Sequence, residues 1–478
     1  MKRIAIIGGG ISGLSAAYTI DEKRRSGTPV EYVLFESSPR MGGVLVTDRV
    51  DGCLVEAGPD SFLTEKPWAA DLCAKIGLGD QLIGSNDSER KTYIVAKGKL
   101  VEMPDGLMFM VPTKIMPTVL SPLFSVRTKI RMAAEWFHPP RQASQDEDET
   151  VAQMVKRHYG AEMVEMLADP LLSGVYGGEA SGLSVRAVLP RFAAMESKYG
   201  SLGRAMLSAR KDARRKLGAA ADAPARPLFS SLQDGMQQMV DALVARLDAK
   251  ALKTSSPVLS MIRQNDGWTV CAGYQTDHFD AVILATPTHA ASALLESADA
   301  NLSRELSEIQ YSSSVTVTLG YDEKVRRSLP PGFGFLVPRR AGHRMLAATF
   351  VHNKFPHRAP ENRALVRCFL GGARDEQILQ STENEILEIV RRELRQIVGP
   401  ALDADPLFAR VYKWKSAMAQ YSVGHLERLQ RVESFRQNLS GLALAGNGYS
   451  GIGVPDCVRS GAEAAGKILA EMGMRSSA

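Results

Sequence analysis

Ile4-Ala5-Ile6-Ile7-Gly8-Gly9-Gly10-Ile11-Ser12-Gly13-Leu14 is the stretch that decides the fold. Four apolar residues predict a buried strand, and the glycines follow at once. Gly8, Gly10 and Gly13 keep the G-x-G-x-x-G spacing that joins a parallel strand to a helix around a pyrophosphate. Glycine is needed there because backbone N–H groups must approach phosphate closely, and a Cβ would block them. Gly9, Ile11 and Ser12 complete the loop, and Ser15-Ala16-Ala17-Tyr18 opens a helix with small residues. A second strand, Glu31-Tyr32-Val33-Leu34-Phe35, ends on Glu36, whose carboxylate can accept the hydrogen bonds of an adenosine ribose. The interval from Gly13 to Glu36 is slightly long, and Arg24-Arg25-Ser26-Gly27-Thr28-Pro29 reads as a lengthened turn. Strand, glycines, helix, strand and acid in this order predict an α/β dinucleotide-binding unit. The acid favours a free 2′-hydroxyl, and so FAD or NAD over NADP.

The residues that follow separate FAD from NAD. Ser37-Ser38-Pro39-Arg40-Met41-Gly42-Gly43-Val44 comes straight after the acid, and Glu56-Ala57-Gly58-Pro59-Asp60-Ser61 follows. The extended FAD diphosphate is covered by a second loop, which an NAD enzyme does not need. Arg40 can offer a charge-assisted hydrogen bond to phosphate, and Gly42 and Gly43 let the backbone pass close to it. Ser37, Gly43 and Val44, with Gly58, Pro59, Asp60 and Ser61, are the further candidate FAD contacts on these segments.

Composition bounds the rest. The 478 residues predict two or three domains, and 45% hydrophobic with 23% charged residues describes an ordinary globular chain. A net charge of +5 is too small to argue for nucleic-acid binding, and is compatible with an acidic substrate or an anionic membrane surface. Five scattered cysteines (Cys53, Cys73, Cys271, Cys368, Cys457) without a C-x-x-C argue for a reducing compartment and against a disulfide framework, a zinc ribbon or an iron–sulfur site. The eight histidines show no metal-ligand pairing. Only Met1-Lys2-Arg3 precede the first strand, so no signal peptide is expected, and no run is long and apolar enough for a membrane span. A cytoplasmic location, with peripheral membrane contact as a separate candidate, is the expectation. Nothing in the sequence specifies an oligomeric state.

Glu36-x-x-x-Arg40-x-Gly42-Gly43 resembles the flavin amine oxidase superfamily, which includes amine oxidases, carotenoid desaturases and protoporphyrinogen oxidases. Gly334-Phe335-Leu336-Val337-Pro338, Lys354-Phe355-Pro356-His357-Arg358-Ala359-Pro360 and Phe369-Leu370-Gly371-Gly372-Ala373 resemble the centre of the oxygen-dependent protoporphyrinogen/coproporphyrinogen oxidase family. Ala445-Gly446-Asn447-Gly448-Tyr449-Ser450-Gly451-Ile452-Gly453-Val454-Pro455-Asp456-Cys457 resembles its C-terminal flavin motif. The resemblance covers nearly the whole chain.

It implies a discontinuous Rossmann-like FAD-binding domain (1–88, 228–300 and 432–478), an α+β substrate domain (89–106 and 301–431) and a helical, candidate membrane-facing subdomain (107–212). Independently, apolar residues at 236, 239, 240, 243, 244 and 247 predict a helix, Trp268–Cys271 and Phe279–Ala285 predict strands, and Thr382–Val398 a long helix. The acidic run Ser144–Glu149 is expected to be a solvated loop, and Leu217–Pro227 a low-complexity linker.

The activity implied is flavin-dependent oxidation of protoporphyrinogen IX to protoporphyrin IX in haem biosynthesis, with molecular oxygen as electron acceptor. Coproporphyrinogen III oxidation to coproporphyrin III stays open as the nearest alternative, and amine oxidase or desaturase activity as a more distant one. No catalytic side chain is assigned, because the cofactor carries the hard chemistry. Further implied FAD contacts are Val258 (through its backbone), Trp414, Ile452, Gly453 and Val454. Cys457 stands in a context unlike covalent flavin attachment, so FAD is expected to be non-covalent and the thiol inert. For the porphyrinogen substrate the resemblance points to Leu336 and Phe369 as apolar walls, Arg90 as a propionate partner and Gly174 as pocket-lining backbone. Strand core, a surface arginine and a helix-terminating turn are the ordinary alternatives for these. The mixture of Met108, Phe109, Met110, Ile115, Leu120, Leu123, Phe124, Trp136 and Phe137 with Lys114, Arg127, Lys129 and Arg131 suits either a membrane-surface face or packing inside the helical subdomain.

Overall fold

The computed structural model describes residues 1–108, 110–141, 148–217 and 226–474. The central part of the predicted linker (218–225) and most of the predicted acidic loop (142–147) lie outside the described residues, as does Phe109.

The strand Lys2–Ile7 sits in the middle of a five-stranded parallel sheet. It pairs with Val30–Phe35 on one side (Ile4 opposite Tyr32) and with Ala281–Leu284 on the other (Ile4 opposite Ala281). Leu252–Lys253 and Leu442–Leu444 complete the two edges. Its strands thus come from the beginning, the middle and the end of the sequence. Continuous burial of Ile4, Ala5, Ile6 and Ile7, and of Ala281 to Leu284, fits a parallel sheet covered on both faces. The helices Ile11–Arg25, Gln237–Arg246 and Val454–Glu471 share one core with it. On the other face lie Trp268, Phe279, Leu295 and Leu302.

The helix Ile11–Arg25 takes in Arg24 and Arg25, which sequence reading placed in a turn. Both reach back to buried Asp21, at 2.8 and 2.7 Å, and these i,i+3 and i,i+4 pairs carry the helix two residues further. The turn is Ser26 to Pro29. The predicted strand Phe279–Ala285 is two elements, since Gln275–Phe279 ends a hairpin before Ala281–Leu284 joins the parallel sheet.

A seven-stranded sheet has the order Phe408–Ala419, Tyr311–Asp322, Arg363–Gly371, Met345–Phe350, Gly334–Leu336, Thr92–Ala96, Lys99–Glu102. The capped helix Glu383–Val398 packs on one face, against Val317, Phe335, Val366 and Leu370. Between 107 and 217 the chain is mainly helical, around a methionine-rich core of Met110, Met132, Met154, Met163 and Met166. Leu107–Met108 and Val111–Pro112 form a small hairpin there. The boundaries expected at 212 and 431 fall inside the helices Leu202–Leu217 and His425–Gln437, so neither marks a break in the chain.

Candidate functional site

Gly10 caps the helix Ile11–Arg25 with no side chain on the helix N-terminus. The first intrahelical bond runs from Leu14 N–H to Gly10 O, so the first-turn N–H groups before it are free for an anion. A Cβ on Gly10 would meet nothing within 4 Å, which leaves an open cradle above that helix end. Gly13 does a different job: a Cβ there would overlap the carbonyl of Gly8, so this glycine lets helix and strand pack. The second loop lies directly alongside, with Gly42 N–H on Gly9 O at 2.7 Å and Gly10 bridged to Gly42.

Glu36 stands where expected and is held firmly. Its two carboxylate oxygens accept the N–H of Gly9 and of Ser38, each at 2.7 Å, and the Ser37 hydroxyl at 3.3 Å. Each oxygen keeps lone-pair capacity for a further donor such as a ribose hydroxyl. Ser256 N–H on Glu36 O (2.9 Å) brings the start of the strand Val258–Gln264 beside it. Arg40 organises the second loop. Its guanidinium donates to the carbonyls of Met41 (3.1 Å), Gly43 and Leu45 (3.4 Å), and so wraps the second loop around itself.

The Ala57–Ser61 segment backs that loop, and a Cβ on Gly58 would overlap the carbonyl of Val44. Ala57 O accepts the Trp414 indole N–H at 2.9 Å and the Thr316 hydroxyl at 2.8 Å. Arg367 donates to Gly58 O. Asp60 accepts Lys354 Nζ at 3.0 and 3.1 Å and the Ser61 hydroxyl at 2.6 Å. Burial raises the Asp60 pKa, but Lys354 and Arg367 outweigh it and hold the carboxyl well below the usual range. Buried Glu56 pairs with buried Arg358 at 3.1 Å. Lys354 and Arg358 thus sit beneath Asp60 and Glu56 as their buried partners, roles that the Lys354–Pro360 stretch does not show on its own. Nothing in sequence spacing pairs residues some 300 positions apart.

The C-terminal motif forms a loop over the same region. Gly453 caps the helix Val454–Glu471, again with no side chain on its N-terminus. The helix begins inside the C-terminal motif itself, at Val454. Tyr421, unforeseen, staples the loop: its hydroxyl accepts Gly451 N–H at 2.8 Å and donates to Asn447 O at 2.7 Å. Cys457 is buried, and burial pushes its thiol up to about 12. All five cysteines are free.

One row of side chains crosses the seven-stranded sheet. Leu336 is opposite Ala347, Ala347 opposite Phe369, and Phe369 opposite Thr316. Cross-strand partners point to one face, so the row runs from Leu336 to the Thr316 hydroxyl that holds Ala57. Leu336 and Phe369 are half-buried, unlike the strand core on the opposite face. The Arg367 guanidinium lies 4.9 Å from the Phe369 ring centroid. Gly174 faces Leu336, and a Cβ on it would be 3.8 Å from Leu336 Cδ2. Gly174 lies within the helix Asp169–Tyr176 and not in a turn between helices, so it lines the row by lacking a side chain. Arg90 is exposed, four residues before Ile94, which pairs with Leu336. It stands outside the strand Thr92–Ala96, at the C-cap of the short helical turn Asp87–Glu89.

Parallel sheet, uncapped glycine loop and covering second loop make this the fold of the FAD-dependent amine oxidases. The chain belongs to the flavin containing amine oxidoreductase family, whose model matches residues 11–469. It is 31% identical over 475 residues to a coproporphyrinogen III oxidase of Bacillus subtilis, covering 98% of both chains. It is 30% identical over 480 residues to a chloroplastic protoporphyrinogen oxidase of Nicotiana tabacum (97% of this chain, 84% of the other). Among solved structures it resembles a provisionally named protoporphyrinogen oxidase from Exiguobacterium, with a TM-score of 0.85, 30% identity and 99% of each chain covered. Cyclohexylamine oxidase from Brevibacterium oxydans shares the fold at 16% identity, with a TM-score of 0.69 and 99% of each chain covered.

Proposed function

We propose that this chain binds FAD without covalent attachment and oxidises a porphyrinogen to the corresponding porphyrin in haem biosynthesis, with molecular oxygen as final acceptor. The observation that carries the reading is the row Leu336–Ala347–Phe369, which ends at the Ala57–Gly58 segment behind the second loop. An apolar surface for a flat ring thus leads to the place where the cofactor loops meet.

FAD supplies the two-electron acceptance that removing hydrogen from a porphyrinogen requires. The chain's own residues do the rest. Gly8 to Gly13 present backbone N–H groups to the diphosphate. Glu36 holds the ribose. Gly43, Val44, Gly58, Pro59 and the Trp414-pinned Ala57 carbonyl shape the wall beside the flavin. Ile452, Gly453 and Val454 bring a second helix N-terminus to its polar edge. Asp60 and Ser61 act through Lys354 to hold that wall in place. Cys457, un-ionised at neutral pH, offers no thiolate for a flavin linkage.

The relatives' names divide between protoporphyrinogen and coproporphyrinogen. The test is aerobic turnover of purified protein on both, read as porphyrin fluorescence. Porphyrin formed from either supports the reading. Formation from neither, with full flavin content, removes it.

Peripheral contact with an anionic membrane is a second part of the proposal. The helices Ile115–Leu120 and Val126–Glu135 expose Leu120, Val126 and Ile130, and Phe137 follows at 82% exposure. Exposed Lys114, Arg127 and Arg131 accompany them. Leu123, Phe124 and Met110 pack inside instead. Among the described residues no helix is long and apolar enough to cross a membrane. Flotation with phosphatidylserine vesicles at low salt, weakened by Phe137→Ser and Ile130→Ser, is the expected result. Protein that stays entirely in the supernatant ends this part.

A further inference from the structure

Four arginines gather at one edge of the seven-stranded sheet. The strands Gly334–Leu336 and Arg363–Gly371 both run antiparallel to Met345–Phe350 between them. Their C-terminal ends and the start of the middle strand therefore share an edge. Leu336 ends the first strand, and Phe369 lies near the end of the third. Arg339 and Arg340 follow the first strand, Arg344 precedes the middle one, and Arg374 follows the third.

Two of the four are committed. Arg344 makes a two-point bond to Asp375 at 2.6 and 3.1 Å. Arg374 donates to the carbonyls of Val337 (3.2 Å), Arg339 (3.3 Å) and His343 (2.7 Å), and so fixes the shape of the turn that carries the other two. Buried Glu393 is engaged by the N–H groups of Arg344 and Met345.

The other two are loosely held. Arg339 pairs with Glu179 at 2.8 Å and Arg340 reaches Glu165 only at 3.9 Å, with the two arginine side chains 69% and 43% exposed. Glu165 and Glu179 flank the helix Asp169–Tyr176, the element that sets Gly174 against Leu336. The two guanidinium groups therefore reach from the sheet edge to the segments on either side of this helix, at the Leu336 end of the apolar row. Exposed ion pairs contribute little and exchange partners readily. A planar guanidinium suits a carboxylate from a ligand as well as it suits glutamate.

We propose that Arg339 and Arg340 are the carboxylate-recognising pair of this site. They release Glu179 and Glu165 and take the acidic side chains of a flat, apolar, polycarboxylated substrate, while its ring lies along Leu336 and Phe369. This rests on the porphyrinogen reading and assigns the substrate's acidic edge to the opposite strand end from Arg90.

The test is steady-state kinetics of holoenzyme carrying Arg339→Ala with Arg340→Ala, on a porphyrinogen that the parent oxidises and on its methyl ester, which has no carboxylates. The expected result is a KM raised about tenfold for the free acid, the loss of a charge-assisted hydrogen bond. kcat, flavin content and the KM of the ester stay unchanged. Glu165→Gln with Glu179→Gln is expected to lower the free-acid KM, because the competing carboxylates are gone. A free-acid KM that stays at the parent value in the arginine variant, or an ester KM that rises equally, overturns the proposal. If the arginine variant does not fold, the glutamine variant decides: a KM unchanged or raised overturns it. A parent that oxidises no porphyrinogen removes the functional reading itself, which is a separate outcome.

Discussion

Gly461 passes so close to Ser12 that a Cβ on it would overlap the Ser12 carbonyl oxygen. This is where the last helix crosses the first, with the Ser15 hydroxyl on Val458 O at 2.8 Å beside it. The N-terminal turns of the two helices are registered against each other by this crossing. Gly461→Ala should force the helices apart, at an overpacking cost of about 1–3 kcal/mol. The expected outcome is a lower thermal midpoint and weaker FAD retention, read by differential scanning calorimetry and flavin absorbance per chain.

Gly10 and Gly13 separate binding from folding. A side chain on Gly10 enters open space, and its backbone angle (φ −68°) is ordinary for any residue. Gly10→Val should therefore fold and lose FAD. Gly13→Val has no room and should fail to fold. Circular dichroism and flavin content distinguish these outcomes; a Gly10→Val protein that keeps its full flavin complement would contradict the cradle.

Gly174→Leu fills the space facing Leu336 while keeping a good helix former in the helix Asp169–Tyr176. Flavin content is expected to stay at one per chain and porphyrinogen turnover to be lost. Turnover at the parent rate would mean that the substrate lies elsewhere.

Asp60→Asn would leave Lys354 and Arg367 buried without their carboxylate. Breaking a buried pair from one side costs about 3–5 kcal/mol. A denaturant midpoint unchanged by this substitution would show that the Gly58–Ser61 wall is not held from beneath.

The helical region carries its own pH dependence. His158 is buried between Glu135 at 3.1 Å and Glu196 at 2.9 Å, with Arg157 on Glu196 at 2.7 Å. Burial alone would raise the Glu196 pKa, but hydrogen bonds from His158 and Arg157 bring it down to about 2. Burial alone would lower the His158 pKa, but the two carboxylates raise it. The Glu196 contribution is therefore complete above its unfolded value near 4.5 and is lost as pH falls toward about 2. The His158 contribution is complete below its unfolded value near 6.5 and is lost as pH rises through the raised value. Stability from this cluster should peak between these two limits, and Glu196→Gln should flatten the acid limb in urea melts taken across pH.

The parallel-sheet part of the fold was largely legible in sequence because its signals are local. Ile4–Ile7, the glycines and Glu36 lie within one strand–helix–strand unit and need no distant partner to be read. The seven-stranded sheet was not legible in the same way. Leu336 and Phe369 come together only through the register of three strands, and Arg90 lies outside the strand that pairs with Leu336. Helix limits moved where side-chain pairing decided them, as Asp21 did for Arg24 and Arg25. Asp148 and Glu149 were expected in a solvated loop. Asp148 accepts Ser184 and Gly424, and Glu149 pairs with Arg141 and Arg157. A charge run does not reveal which of its members will find arginines after folding.

The most direct measurement is an anaerobic titration of the purified yellow protein with a porphyrinogen, following flavin absorbance and porphyrin fluorescence together. The account predicts that the oxidised flavin band bleaches under anaerobic conditions, and that it returns, with porphyrin fluorescence rising, when air is admitted and lets the flavin turn over until all six electrons are removed. A flavin band that stays at full height while porphyrinogen is added in excess would contradict it.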